Sequence, residues 1–161
     1  MNTPIIRPIE KRDIQTVAEV IRSVLVDFGV PKVGTAYADV ALDNMFDAYK
    51  EDKAAYFVVE ENGTVIGGGG IAQLDNYKGN VCELQKMYFL PEARGKGLGT
   101  KMIDLCLKQA REFGYEKCYL ETMSYMEAAQ KLYKRYGFDY LDGPMGDTGH
   151  FSCGVHMILD L

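Results

Sequence analysis

The chain has 161 residues, 47% apolar and 25% charged, with 18 basic and 23 acidic side chains for a net charge of −5. One compact domain spanning 1–161 is the natural reading, large enough to bury roughly 70% of its unfolded surface without metal or disulfide staples, and the acidic balance argues against nucleic acid, which selects basic faces. Cysteines 82, 106, 118 and 153 form no CxxC pair, and the N-terminus charges up at Arg7, too early for a signal peptide; with no run of ~18 apolar residues for a membrane span, a reduced, cytoplasmic setting with no membrane partner is expected.

Ile5-Ile6-Arg7-Pro8-Ile9 reads as a first strand that Pro8 places at an edge or an end. Asp13 suits an N-cap, with Ile14, Val17, Ile21 and Leu25 at helical spacing and Gly29 as the stop. Leu42, Met45, Phe46 and Tyr49 suggest a second helix. Residues 54–60 and 65–74 read as strands joined by the Glu61-Asn62-Gly63 turn. The second strand carries four glycines, 67 to 70, which point to a bulge, to tight packing, or to a substrate lying against bare backbone.

Residues 81–90 form a strong strand, broken by Pro91-Glu92-Ala93. A helix is expected from about Gly97, with Leu98, Met102, Leu105 and Cys106 on one face and Gly114 at its end. Residues 117–122 are the next strand. Ser124 and Glu127 have the spacing of a capping box for a helix over 125–136, closed by Gly137, and strands follow around 138–140 and 155–161. This order implies a mixed α/β (α+β) fold, a central mixed sheet flanked by helices, in which the strand–helix–strand unit 81–122 is parallel.

Arg94-x-x-Gly97-x-Gly99 sits where a strand gives way to a helix. The first turn of a helix leaves backbone N–H groups unpaired and carries partial positive charge, and glycines let a diphosphate reach those donors. Two other phosphate loops fit badly. A Walker A loop needs Ser or Thr after Gly95-Lys96, where Gly97 stands, and a dinucleotide fingerprint needs a third glycine where Thr100 or Met102 stands. The alternative is a glycine turn that only starts a helix.

The wider context resolves this. Glu83-Leu84-Gln85-Lys86-Met87-Tyr88-Phe89-Leu90-Pro91-Glu92-Ala93-Arg94-Gly95-Lys96-Gly97-Leu98-Gly99 closely resembles the acyl-CoA-binding segment of the GNAT superfamily of N-acetyltransferases, and Ala129-x-x-x-Tyr133-x-x-x-Gly137-Phe138 resembles its second signature. The resemblance covers residues 81–138 and implies acetyl-CoA as co-substrate, with no metal. It implies that backbone groups of Met87, Tyr88 and Phe89 pair with the pantetheine arm. Amides of Arg94, Gly95, Lys96, Gly97, Leu98 and Gly99, with Thr100 next in line, would hold the diphosphate, and Tyr133 would face the thioester sulfur. The family often carries Asn where this chain has Met126.

Acyl transfer to an amine needs a deprotonated amine, a donor to the oxyanion and a proton for the leaving thiolate. A strand amide near Tyr88 suits the oxyanion. A phenol stays protonated at neutral pH, so Tyr133 is the expected donor, unless it only packs with Ala129 and Tyr136. Glu83 is the candidate base; period-two alternation puts it on one strand face with Gln85 and Met87, and the alternatives are a structural ion pair or a water chain in its place. His150-x-x-Cys153-x-x-His156 lacks a fourth ligand for zinc and has no support for thiol chemistry. The segment 143–156, with His150 at its edge, is expected to hold a small primary amine. A non-catalytic acyl-CoA sensor and an acetyltransferase acting on a protein amine are the alternatives, and a homodimer stays open.

Overall fold

The computed structural model describes residues 3–161. Seven strands form one sheet: β1 Ile5–Pro8, β2 Ala55–Glu61, β3 Thr64–Gln73, β4 Val81–Phe89, β5 Lys117–Thr122, β6 Asp139–Leu141 and β7 Val155–Asp160. Their spatial order is β1-β2-β3-β4-β5-β7-β6. Only β4 and β5 run parallel; the other neighbours are antiparallel. The helices are α1 Ile14–Asp27, the single turn α2 Met45–Ala48, α3 Leu98–Glu112 and α4 Glu127–Arg135. Among the described residues no helix is long and apolar enough to cross a membrane.

Alternation along β2 divides the interior in two. Phe57 and Val59 face a core shared with Met102, Ile103 and Cys106 of α3 and with Tyr133 and Phe138. Tyr56 and Val58 face a second core built on Val17, Ile21 and Leu25 of α1. Burying each such aliphatic side chain contributes about 1.5–3 kcal/mol, so both faces are anchored by apolar packing. The β2–β3 turn reads as expected, since Asn62 and Gly63 take left-handed φ of 55° and 76°, the pair a tight hairpin asks for.

Three local expectations change. Asp13 stands at the start of α1 but does not cap it. Its carboxylate turns back to Arg7 at 2.8 and 3.0 Å and to the Glu10 N–H at 2.7 Å, tying β1 to the helix. The predicted second helix forms as a 3-10 stretch, Val40–Asn44, followed by the one turn of α2. The Ser124–Glu127 capping box does not form; α4 starts at Glu127 with Met126 as its N-cap, because Gln130 Nε2 donates to the carbonyls of Met123 and Ser124 and holds them in a turn.

The alternation predicted for β4 also fails. Gly70 pairs with Gln85 and Gly68 with Tyr88, so Lys86 and Met87 together oppose Gly69. This is a β-bulge, and Lys86 takes φ of 49° within it. Beyond it the faces exchange: Met87 and Phe89 pack with Leu84 against the α3 core, while Tyr88 packs toward α1. Met87 therefore lies on the face opposite Glu83 and Gln85.

Candidate active site

The parallel strands β4 and β5 pair only at Val81↔Lys117, Cys82↔Cys118 and Glu83↔Tyr119. Past Glu83 they separate, and two clefts open around the gap with Lys86 in the wall of each. One, of about 540 Å³, runs between β4, β5, the start of α3 and α4. The other, of about 850 Å³, lies over Glu83 and Gln85 and is flanked by Asp39, Tyr49, Thr148 and His150.

The first cleft ends at the glycine loop. Gly95 and Gly97 adopt φ of 74° and 73°, and Gly97 is the N-cap of α3. The first helical bond is Lys101 N–H to Gly97 O at 3.2 Å. Among the described residues, the amides of 95–100 donate to no protein acceptor. A Cβ added at Gly95 or Gly97 would meet no protein atom within 4 Å. Unpaired donors, open space and the positive end of a fifteen-residue helix together fit a diphosphate. Arg94 braces this loop from within, donating to Phe89 O at 3.0 and 3.2 Å with its guanidinium over the Phe28 ring. Lys96 turns to Glu61 at 2.9 Å. Neither Lys96 nor Thr100 belongs to the cleft wall, whereas Met87, Tyr88, Phe89, Arg94, Gly95, Gly97, Leu98 and Gly99 do. Met126, in place of the family's Asn, also lines the cleft and accepts a contact from Thr122 Oγ1 at 3.4 Å.

Tyr133 is packed in the core and also borders the cleft. Its ring is 7% exposed and meets Phe138 edge-on at 5.9 Å. Its hydroxyl has no hydrogen-bond partner, yet no fully buried side-chain oxygen or nitrogen among the described residues lacks one. The oxygen therefore opens into the cleft that Tyr133 lines. Burial raises its pKa well above that of a free phenol, so the proton stays on oxygen at neutral pH.

Glu83 is 5% exposed, and desolvation lifts its pKa to about 7; the Gln85 amide pulls it down and the Glu121 charge pushes it up again. Gln85 Nε2 donates to Glu83 Oε1 at 2.7 Å, and Tyr49 Oη donates to Gln85 Oε1 at 2.6 Å. The tyrosine thereby fixes which end of the Gln85 amide faces the carboxyl group. A group half ionised near neutrality suits proton abstraction. Tyr49 showed in the sequence only as a helix-spaced position, and Gln85 only as a neighbour on the strand.

His150 reaches the site by a long route. Its Nε2 lies 2.8 and 2.9 Å from the Asp39 carboxylate, and Lys86 Nζ lies 3.1 Å from the same carboxylate. Burial alone would depress His150, but the bond to Asp39 and its charge outweigh it, and the pKa is raised. Asp39 is held below the usual carboxylate range, as the partners overcome its own desolvation. Glu121 Oε2 accepts from Tyr119 at 2.6 Å. Cys153 also lines the cofactor-side cleft, with its thiol pushed up to about 12 by burial, a protonated and therefore sluggish nucleophile. His156 stacks on Tyr119 instead, at 6.4 Å between rings.

A parallel strand pair that opens onto a helix N-terminus, with a buried carboxyl group at the fork, suits an acyl-CoA-dependent transferase. The chain belongs to the acetyltransferase (GNAT) family, whose model matches residues 20–138, and it is an acetyltransferase of that type. It is 43% identical over 160 residues to the uncharacterized N-acetyltransferase YjgM of Escherichia coli, covering 99% of this chain and 96% of that protein. The IAA acetyltransferase of Azospirillum brasilense is 34% identical over 94 residues, 58% of this chain and 60% of that protein. A GNAT-family acetyltransferase from Staphylococcus aureus superposes with a TM-score of 0.84 at 20% identity, covering 98% of this chain and 99% of that one. The acetyltransferase yncA of Salmonella typhimurium, solved with acetyl-CoA, does so with a TM-score of 0.78 at 22% identity, covering 99% and 94%.

Proposed function

We propose that the whole chain acts as one catalytic unit that moves the acetyl group of acetyl-CoA to a small primary amine by direct attack on the thioester. The observation that carries this reading is the fork at Glu83. The last residue of β4 paired with β5 is a buried carboxyl group facing one cleft with Gln85, and Leu84 and Lys86 to Phe89 line the other. The amides of residues 95–99 would hold the diphosphate, and the backbone of Met87 to Phe89 the pantetheine. Glu83 Oε2, whose neighbour Oε1 is engaged by Gln85, would take the proton of the incoming ammonium directly or through one water. The Met87 amide would donate to the carbonyl oxygen as negative charge develops there. The Tyr133 hydroxyl would return a proton to the departing sulfur.

The Asp39–His150 bond joins loops that are 111 residues apart across the acceptor cleft. A bridge of that kind favours a compact acceptor over an extended polypeptide. A panel of small primary amines with acetyl-CoA, read by thiol release, is expected to give turnover with at least one of them. Turnover confined to peptide or protein amines would replace this reading with protein acetylation. Tight coenzyme binding with no turnover for any amine would make the protein a sensor.

A further inference from the structure

Two of the four glycines of β3, Gly68 and Gly70, are more than a packing convenience, because they decide where one tyrosine can go. We propose that Tyr56 is a positioning residue for acetyl transfer. From β2 it lies across the glycines of β3 and fixes the Lys86–Met87 peptide, so that the Met87 N–H faces the gap between β4 and β5. This rests on the acetyl-transfer reading above, in which that amide meets the thioester carbonyl.

Tyr56 pairs with Gly70 across the β2–β3 ladder, and its ring passes over β3 to reach β4. A Cβ at Gly68 would stand 2.6 Å from the Tyr56 hydroxyl oxygen, and one at Gly70 would stand 2.7 Å from its Cδ2. A side chain at Gly68 displaces the ring's hydroxyl end, while one at Gly70 meets the Ala55 carbonyl oxygen even before the ring. With both absent, Tyr56 Oη donates to Lys86 O at 2.8 Å. That carbonyl belongs to the bulge, where Lys86 and Met87 have no partner in the β3 register and Lys86 sits at a φ of 49°. A bulge is where a strand's hydrogen-bond directions are least constrained by its ladder. Tyr56, itself 2% exposed, replaces the missing ladder bond.

The consequence for the amide follows from peptide geometry. No cis bonds occur among the described residues, so the Met87 N–H points opposite to the Lys86 carbonyl. The carbonyl turns back toward β3, the side from which Tyr56 arrives. The N–H therefore turns toward β5, where pairing has already ended at Glu83↔Tyr119. Met87 lines the cleft on that side. Tyr49, tilted at 44° against Tyr56 with 5.1 Å between ring centres, holds Gln85 and through it Glu83. The two rings thus brace the bulge peptide and the base from one side of the sheet.

A buried tyrosine bonded to a carbonyl can be purely structural, so the test uses a difference that structure alone would not move. Acetyl-CoA carries the thioester carbonyl and coenzyme A does not. Calorimetric dissociation constants for both, on the wild type and on Tyr56→Phe, isolate the amide's contribution. The wild type is expected to prefer acetyl-CoA by roughly threefold to tenfold, the size of one hydrogen bond. Tyr56→Phe is expected to erase that preference while leaving the coenzyme A value within about twofold. Tyr115→Phe is the control. Its hydroxyl also donates to a carbonyl at 2.8 Å, that of Lys53, away from both clefts, and it should keep the preference. Gly68→Ala, which crowds the ring, should copy Tyr56→Phe; if it does not fold, the two tyrosine variants decide. An acetyl-CoA preference that survives in Tyr56→Phe, or none in the wild type, overturns the role given to Tyr56. A wild type that binds neither compound overturns the acetyl-transfer reading itself, and the role of Tyr56 with it.

Discussion

Glu83 is a carboxyl group where water solvates it poorly, so its charge changes near neutrality and not near its ordinary value of 4.5. Between 4.5 and about 7 the unfolded chain has released this proton and the folded chain keeps it. Stability from this group is therefore full at low pH and is lost as pH rises through that window, by at most on the order of 3 kcal/mol. Activity runs the other way, since a base must be ionised. Glu83→Gln should lose rate by ~10²-fold or more at pH 8 and flatten the acidic limb of the pH–rate profile. It should also melt at a higher temperature than the wild type at that pH. A variant with an unaltered profile would place the base elsewhere, and one less stable at pH 8 would mean that burial does not raise this carboxyl group's pKa. Tyr133 is the complementary case, a proton kept in place by burial. Tyr133→Phe keeps the ring against Phe138 and removes only the hydroxyl that faces the cleft. The expected result is a kcat ~10²-fold lower with acetyl-CoA affinity nearly unchanged. Wild-type kcat would leave Tyr133 as core alone.

At the level of elements, what the sequence disclosed was whatever is determined by neighbours in the chain. The strand at 117–122 is the observed β5, Lys117–Thr122, because its apolar Cys118-Tyr119-Leu120 run is bounded by Gly114 before it and Ser124 after it. The loop from Arg94 to Gly99 was legible for the same reason: glycine, strand end and helix start lie within a few residues of one another. Where a distant group intervened, local rules misled. Ser124-x-x-Glu127 has the spacing of a cap, but the Gln130 side chain claims the preceding carbonyls and the helix begins at Glu127. In β4, period-two alternation assumes an unbroken ladder. The bulge at Lys86 is held by Tyr56, thirty residues earlier in the chain, and it moves Met87 to the opposite face. The glycine run was visible as a feature, but its meaning depends on which side chain crosses it.

The same distinction holds for the molecule as a whole. The glycine loop of the proposed cofactor side lies in one stretch of chain and was readable, although the cleft behind it also draws on Val24 to Thr35 and on Cys153. The proposed acceptor side draws on residues 39, 49, 83, 85, 86, 148 and 150, brought together only by the order of strands in the sheet. Asp39 carried no local mark and Tyr49 only that of a helix position, and the segment 143–156 was expected near the acceptor without its partner across the cleft. Coenzyme binding should couple to this whole assembly, because its cleft is walled at once by β4, β5, the start of α3 and α4. A ligand held by all of these binds the folded chain and not the unfolded one, and at ~100 times its dissociation constant adds about 2.7 kcal/mol of stability. For a chain of this size that is roughly 5–10 °C in melting temperature. Gly97→Val places a branched side chain in the open space before the free amides. It also strains a backbone at φ of 73°, so the unliganded variant should melt somewhat lower than wild type. The decisive quantity is the increment with coenzyme A, read by calorimetry or dye fluorescence on each protein with and without ligand. It should vanish in Gly97→Val, since a β-carbon there stands between the diphosphate and its donors. An increment of wild-type size in a folded Gly97→Val protein would mean that the diphosphate is held somewhere other than the N-terminus of α3.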